Sequence, residues 1–140
     1  MADEISARCE AIEACYEFML AYAGQGLAGD EPGQSTSQVR EHLRRAADAL
    51  AGLADAYAAS VQREKLESPA PYLAFLKVLA RDADDSLAAI ELVLAQPILS
   101  SQLVDNLNAS IHLRALLTDL FLIDEIVKPQ RTQAKTVIID

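Results

Sequence analysis

The sequence predicts an all-α fold, specifically an antiparallel four-helix bundle, on three observations. Of 140 residues 51% are hydrophobic but only 5% aromatic, with no Trp, so the apolar content is mostly Ala and Leu, which lose little side-chain entropy in a helix. Apolar positions recur at alternating spacings of three and four along most of the chain. Turn-forming Gly and Pro residues gather at a few junctions, leaving long uninterrupted segments between them.

The first helix is expected over about 5–24, where Ile5, Cys9, Ile12, Tyr16, Met19 and Ala23 form a seam suited to packing against other helices. It ends at Gly24-Gln25-Gly26. Residues 29–37, rich in Gly, Asp, Pro, Ser and Thr, form a surface loop, and Ser35, Thr36 or Ser37 caps the second helix. Helix two, over about 37–66, carries the cleanest heptad of the chain, Val39, Leu43, Ala46, Leu50, Leu53, Tyr57 and Val61. Ser68-Pro69-Ala70-Pro71 ends it and opens helix three, about 70–95, because Pro is tolerated in a first turn and not in an interior. Its seam is Leu73, Leu76, Ala80, Ala83, Leu87, Ile90 and Leu94.

The fourth segment, about 98–127, starts after Pro97 and stops at Lys128-Pro129. At about 100° per residue, Leu103, Val104, Leu107 and Ile111 lie on one side, whereas Leu116, Leu117, Leu120, Ile123 and Val127 lie on another. A straight helix cannot show both sets to one core. The expectation is a kink or split near Asn106–Ser110, with Ser110 as a new N-cap, or a second cover over the lower half. Residues 1–128 are read as one domain and 129–140 as a tail whose β-prone end, Thr136 to Asp140, folds back over the patch, adds to a partner as a strand, or stays unstructured.

Charge narrows the partners. Twelve basic and 21 acidic residues give a net charge of −9, which repels nucleic acid and anionic membranes. No apolar run reaches the length of a membrane span, and MADEISARCE has no signal-peptide pattern, so a cytoplasmic protein is expected. The basic residues of helix two and the acidic residues of helix one make those helices expected neighbours.

Motifs for chemistry are sparse. Cys9 and Cys15 are six residues apart in one helix, off a shared face, and are read as small buried hydrophobes. Glu10, Glu13 and Glu17 form one stripe and Asp82, Asp84 and Asp85 another. Both are read as solvated faces, since neither His42 nor His112 follows a Glu by three residues, as in di-iron bundles, and no calcium-loop glycine is present. Asp124 falls between Leu113 and Leu117 on the wheel and needs a cation or hydrogen bonds if buried. No hydrolase, zinc-protease or dinucleotide motif occurs, so no enzyme activity, metal or cofactor is expected.

The segment His42-Leu-Arg-Arg45-Ala46 resembles the phosphoacceptor region of histidine phosphotransfer domains over five residues. The basic residue three after the His and the small residue four after it match; Arg44 stands where an apolar residue is expected, and Ala46 where the pattern has glycine. The resemblance implies a regulatory bundle with His42 as phosphoacceptor, which is the alternative reading. The leading one is an interaction module of the chaperone, assembly-factor or adaptor kind, homodimeric or bound to a protein partner. Its expected interface is Leu116, Leu120, Ile123 and Ile126 on the displaced apolar face.

Overall fold

In a computed structural model, which describes residues 2–24, 34–63 and 68–139, the chain is all-α, with six helices among those residues. These are α1 (Ala2–Ala23), α2 (Gln34–Leu50), α3 (Leu53–Arg63), α4 (Pro69–Leu94), α5 (Ser101–Asn108) and α6 (Ile111–Ile139). Side chains are described for 4–24, 37–63 and 68–126. None of the described helices is long and apolar enough to cross a membrane.

The expected four helices become six because two of them break. The heptad of the second is buried at every position from Val39 to Val61, but its backbone interrupts at Ala51 and Gly52, where Gly52 takes a φ of 90°. Only glycine adopts that conformation without cost, and it is the usual stop for a helix C-terminus. The carbonyls orphaned there are taken up from outside. The Arg8 guanidinium, on α1, donates to the oxygens of Asp48, Ala49 and Ala51 at 3.2, 2.9 and 2.8 Å, and pairs with Glu4 at 3.0 Å.

Arg40 does the same for α4. Its guanidinium, on α2, donates to the carbonyls of Leu94, Gln96 and Pro97 at 2.7 to 3.2 Å. Neither α2 nor α4 has a basic residue in its own last turn, so a cation from another helix meets the negative end of each dipole. The expected pairing of helices one and two is realised as packing of α1 on α2. Its electrostatic part runs through Arg8 and main-chain oxygens, while the ion pairs Arg8–Glu4 and Arg45–Glu41 stay within single helices.

The fourth segment splits at Ala109–Ser110. Ser100 caps α5, accepting from the Leu103 amide at 3.1 Å, and Ser110 caps α6, accepting from the Leu113 amide at 3.4 Å. Because the chain changes direction there, Val104 and Leu107 on one side of the break and Leu113, Leu116, Leu117, Leu120 and Ile123 on the other all enter one core. Ile111, expected with the upper set, is exposed. Helix α6 also runs on through Pro129 to Ile139, so the expected stop at Lys128-Pro129 and the β-prone end are replaced by helix.

Two seams are rotated from their expected positions. On α1, Cys15 and Tyr22 are fully buried, while Tyr16 and Ala23 are half-buried. On α4 the buried line is Leu76, Leu79, Ala83, Ser86, Ile90 and Val93, and Leu73 is exposed. Buried polar contacts fix the neighbours: the Tyr22 hydroxyl donates to the Leu99 carbonyl at 2.6 Å, Ser101 Oγ to the Tyr22 carbonyl at 3.0 Å, and Ser86 Oγ to the His112 carbonyl at 2.9 Å. The last of these joins α4 to the start of α6, which packs against it.

Candidate functional interface

Helix α6 contains Leu120-Phe121-Leu122-Ile123. Four successive helical residues spread over about 300°, so one core cannot take them all. The core takes Leu120 and Ile123, with Leu116, at 1%, 2% and 0% exposure; Phe121, Leu122 and Ile126 remain 60%, 51% and 44% exposed. This corrects the expected interface. Leu116, Leu120 and Ile123 are covered by the chain's own helices, and Ile126 alone of the four lies on the surface.

Beside Leu122 and Ile126, α4 presents Pro71, Tyr72 and Phe75 from its Pro-containing first two turns. Together with Ser68, Leu122, Ile123 and Ile126 they enclose an open concavity of about 430 Å³, within the size range of binding clefts. Val78, also exposed, continues the apolar strip along α4. A second concavity of about 430 Å³ lies at the α4–α5 corner, between Leu92, Val93, Gln96, Pro97, Ile98 and Leu103. There the main-chain oxygens of Gln96 and Pro97 are already engaged by Arg40.

Elsewhere α4 and α6 meet through two carboxyls. Asp119 is 8% exposed, and its carboxyl meets that of Asp82 on α4. Asp119 Oδ2 is buried, and no donor among the described residues reaches it. Two facing carboxylates have no hydrogen between them unless one is protonated, and burial with the Asp82 contact pushes the Asp119 carboxyl up to about 7. Asp84 and Asp85 are exposed, as expected; Asp82 departs from that solvated face.

A separate polar cluster joins α1, α3 and α6. The Tyr57 hydroxyl donates to Asp124 Oδ1 at 2.8 Å and lies 3.5 Å from Cys9 Sγ. The hydrogen bond that Asp124 needs therefore comes from α3. Burial is the main cause of the rise in the Tyr57 hydroxyl, with the Cys9 and Asp124 contacts adding to it. Burial, then the charges of Asp124, Glu17 and Glu10, also raise the Glu13 carboxyl. No group of three or more metal-ligating side chains occurs among the described residues. Cys9 and Cys15 are buried and not joined in a disulfide, and burial pushes the Cys15 thiol up to about 12, so it carries no thiolate near neutrality.

His42 is half-buried, its ring stacked on Phe18 with centroids 4.5 Å apart and planes at 25°. His112 is exposed at the start of α6. Sequence reasoning missed Tyr72, Phe75, Asp119, Phe121 and Leu122 as surface or groove residues. The signal for Phe121 and Leu122 was the four-residue apolar run, which overfills any single face. Tyr72 and Phe75 carried no signal without the position of α6. No family model matches the chain, and comparison with curated proteins and with solved structures finds no match.

Proposed function

We propose that this chain is a non-enzymatic protein–protein interaction module, of the chaperone, assembly-factor or adaptor kind, with the cytoplasm as its setting. The observation that carries the reading is the exposed apolar pair Leu122 and Ile126, which lines one concavity with Pro71, Tyr72 and Phe75 of α4. Large apolar side chains grouped around a concavity are the usual mark of a surface that another chain covers. An antiparallel bundle is the framework that holds α4 and α6 side by side. A second copy docking through the same face makes the homodimer.

The test is light scattering and chemical crosslinking of the wild type, Leu122→Asp and Leu92→Asp. Self-association or capture of a protein that Leu122→Asp abolishes and Leu92→Asp, at the other concavity, preserves supports the reading. A monomer with no Leu122-dependent crosslink in its source extract refutes it.

A further inference from the structure

The apolar seam shared by α2 and α3 ignores the break between them. Val39, Leu43, Ala46, Leu50, Leu53, Tyr57 and Val61 keep helical spacing straight through Ala51 and Gly52, and all of them are buried. That periodicity suits one helix over 34–63, about 45 Å long, as well as it suits two. Two features hold the segment bent. Gly52 takes its φ of 90°, and one guanidinium nitrogen, Arg8 Nη1, donates to the carbonyls of Asp48, Ala49 and Ala51. In an unbroken helix those oxygens accept from the amides of Gly52, Leu53 and Asp55. Arg8 therefore stands in for the hydrogen bonds that would fuse α2 with α3.

The order of the helices gives that fusion a consequence. α1 and α2 pack on each other and both precede the break, so residues 51 and 52 are the single covalent link between this pair and α3–α6. The pair closes onto the rest through the Tyr22 hydroxyl on the Leu99 carbonyl, Ser101 on the Tyr22 carbonyl, and Arg40 on the end of α4. Straightening the link pulls the pair off these partners and bares the seams of both halves. A second copy in the same state offers identical partners, and reciprocal exchange restores every contact outside the bend.

We propose that Ala51–Gly52 is a hinge latched by Arg8, and that its opening joins α2 and α3 into one helix and exchanges the α1–α2 pair between two copies of this chain. The exchange reuses contacts already made within one chain and is independent of the α4/α6 concavity. The residue at the hinge sets the balance. Glycine fits the left-handed bend and weakens a helix interior, whereas alanine disfavours the bend and strengthens the straight helix. The two effects together are worth about tenfold or more per hinge, so Gly52→Ala is expected to raise the dimerisation constant about a hundredfold or more through the two hinges of a dimer. Gly52→Asn, which tolerates the left-handed region, stays close to wild type. Arg8→Gln opens the latch and moves the equilibrium in the same direction as Gly52→Ala.

In the test, the full chain and its variants are concentrated, warmed to the onset of unfolding and cooled, and their mass is read by size exclusion with light scattering. Isotope-labelled and unlabelled chains are mixed before warming and crosslinked afterwards. The expected result is a dimer of Gly52→Ala and of Arg8→Gln in which crosslinks between residues 2–50 and 53–126 join a labelled to an unlabelled peptide, and which survives the addition of Leu122→Asp. Folded monomers of both variants overturn the exchange, as does a dimer whose crosslinks between those two halves all stay within one chain. A dimer that Leu122→Asp dissolves also overturns it and assigns the association to the α4/α6 face. Where Gly52→Ala does not fold, Arg8→Gln decides by the same readings.

Discussion

Replacing Asp119 by Asn removes a titration that works against the fold above neutral pH. The Asp119 carboxyl is raised from the ordinary 3.8 to about 7 by burial and by its contact with Asp82. The folded chain therefore holds a proton that the unfolded chain releases. Its contribution to stability is complete below about pH 4 and is lost as pH rises through about 7. A shift of about three units sets a ceiling of ~4 kcal/mol. Asp82 is half-exposed and shares the proton, so solvent screening lowers the expected loss to about 1–2 kcal/mol. Asn keeps the shape and donates an N–H to Asp82 without a proton to lose. Urea unfolding of wild type and Asp119→Asn at pH 4.5, 6, 7 and 8, at constant ionic strength, reads the difference directly. The two proteins are expected to be nearly equal at the acid end, with the variant more stable by about 1–2 kcal/mol at pH 8. Taking the difference cancels the same-direction contribution of Glu13, whose carboxyl is also raised. A difference that does not change with pH refutes the reasoning.

Gly52→Ala is expected to lower stability by about 1–2 kcal/mol in chemical denaturation, because an L-residue is strained at φ 90°; an added Cβ sits an ordinary 3.6 Å from Arg8 Nη2, so conformation and not crowding carries the loss. Arg8→Gln, which leaves carbonyls of Asp48, Ala49 and Ala51 without their cation, is expected to cost about 1–3 kcal/mol, and an unchanged melting temperature contradicts the capping role. Leu116→Ala is expected to cost about 2–5 kcal/mol as a core truncation, whereas Leu122→Ser stays within about 0.5 kcal/mol of wild type; the reverse order returns Leu116 to the interface. For His42, intact-mass analysis after incubation with acetyl phosphate is expected to show no acid-labile adduct that His42→Ala removes. A His42-dependent adduct supports the signalling alternative instead.

The helical class was legible because it depends on spacing alone. Every apolar residue of the heptad from Val39 to Val61 is buried, and Ser110 caps α6 where the angular shift between Leu107 and Leu116 demanded a change of direction. The break at Gly52 was less visible, since the apolar seam continues across it and the residue that stabilises it, Arg8, lies 44 positions away in the sequence. The seams of α1 and α4 were displaced by about one position because neighbouring Ala, Cys, Ser and Leu fit either line. Which line is buried depends on what packs opposite.

Sequence by itself determined that this chain forms amphipathic helices, that breaks fall at Ser68-Pro69, after Pro97 and at Ser110, that it is strongly acidic, and that its Leu113–Val127 stretch has more apolar surface than one face holds. Tertiary structure alone decided which part of that surface is left over. The turn at Ala109–Ser110 swings Leu116, Leu120 and Ile123 inward, so the displaced face that suggested a partner is satisfied within the chain. The excess reappears at exposed Phe121, Leu122 and Ile126, and across from the last two α4 supplies Tyr72 and Phe75. Periodicity is a property of one helix and is written in its own residues. A groove belongs to two helices, and exists only once the rest of the core has fixed how they face each other.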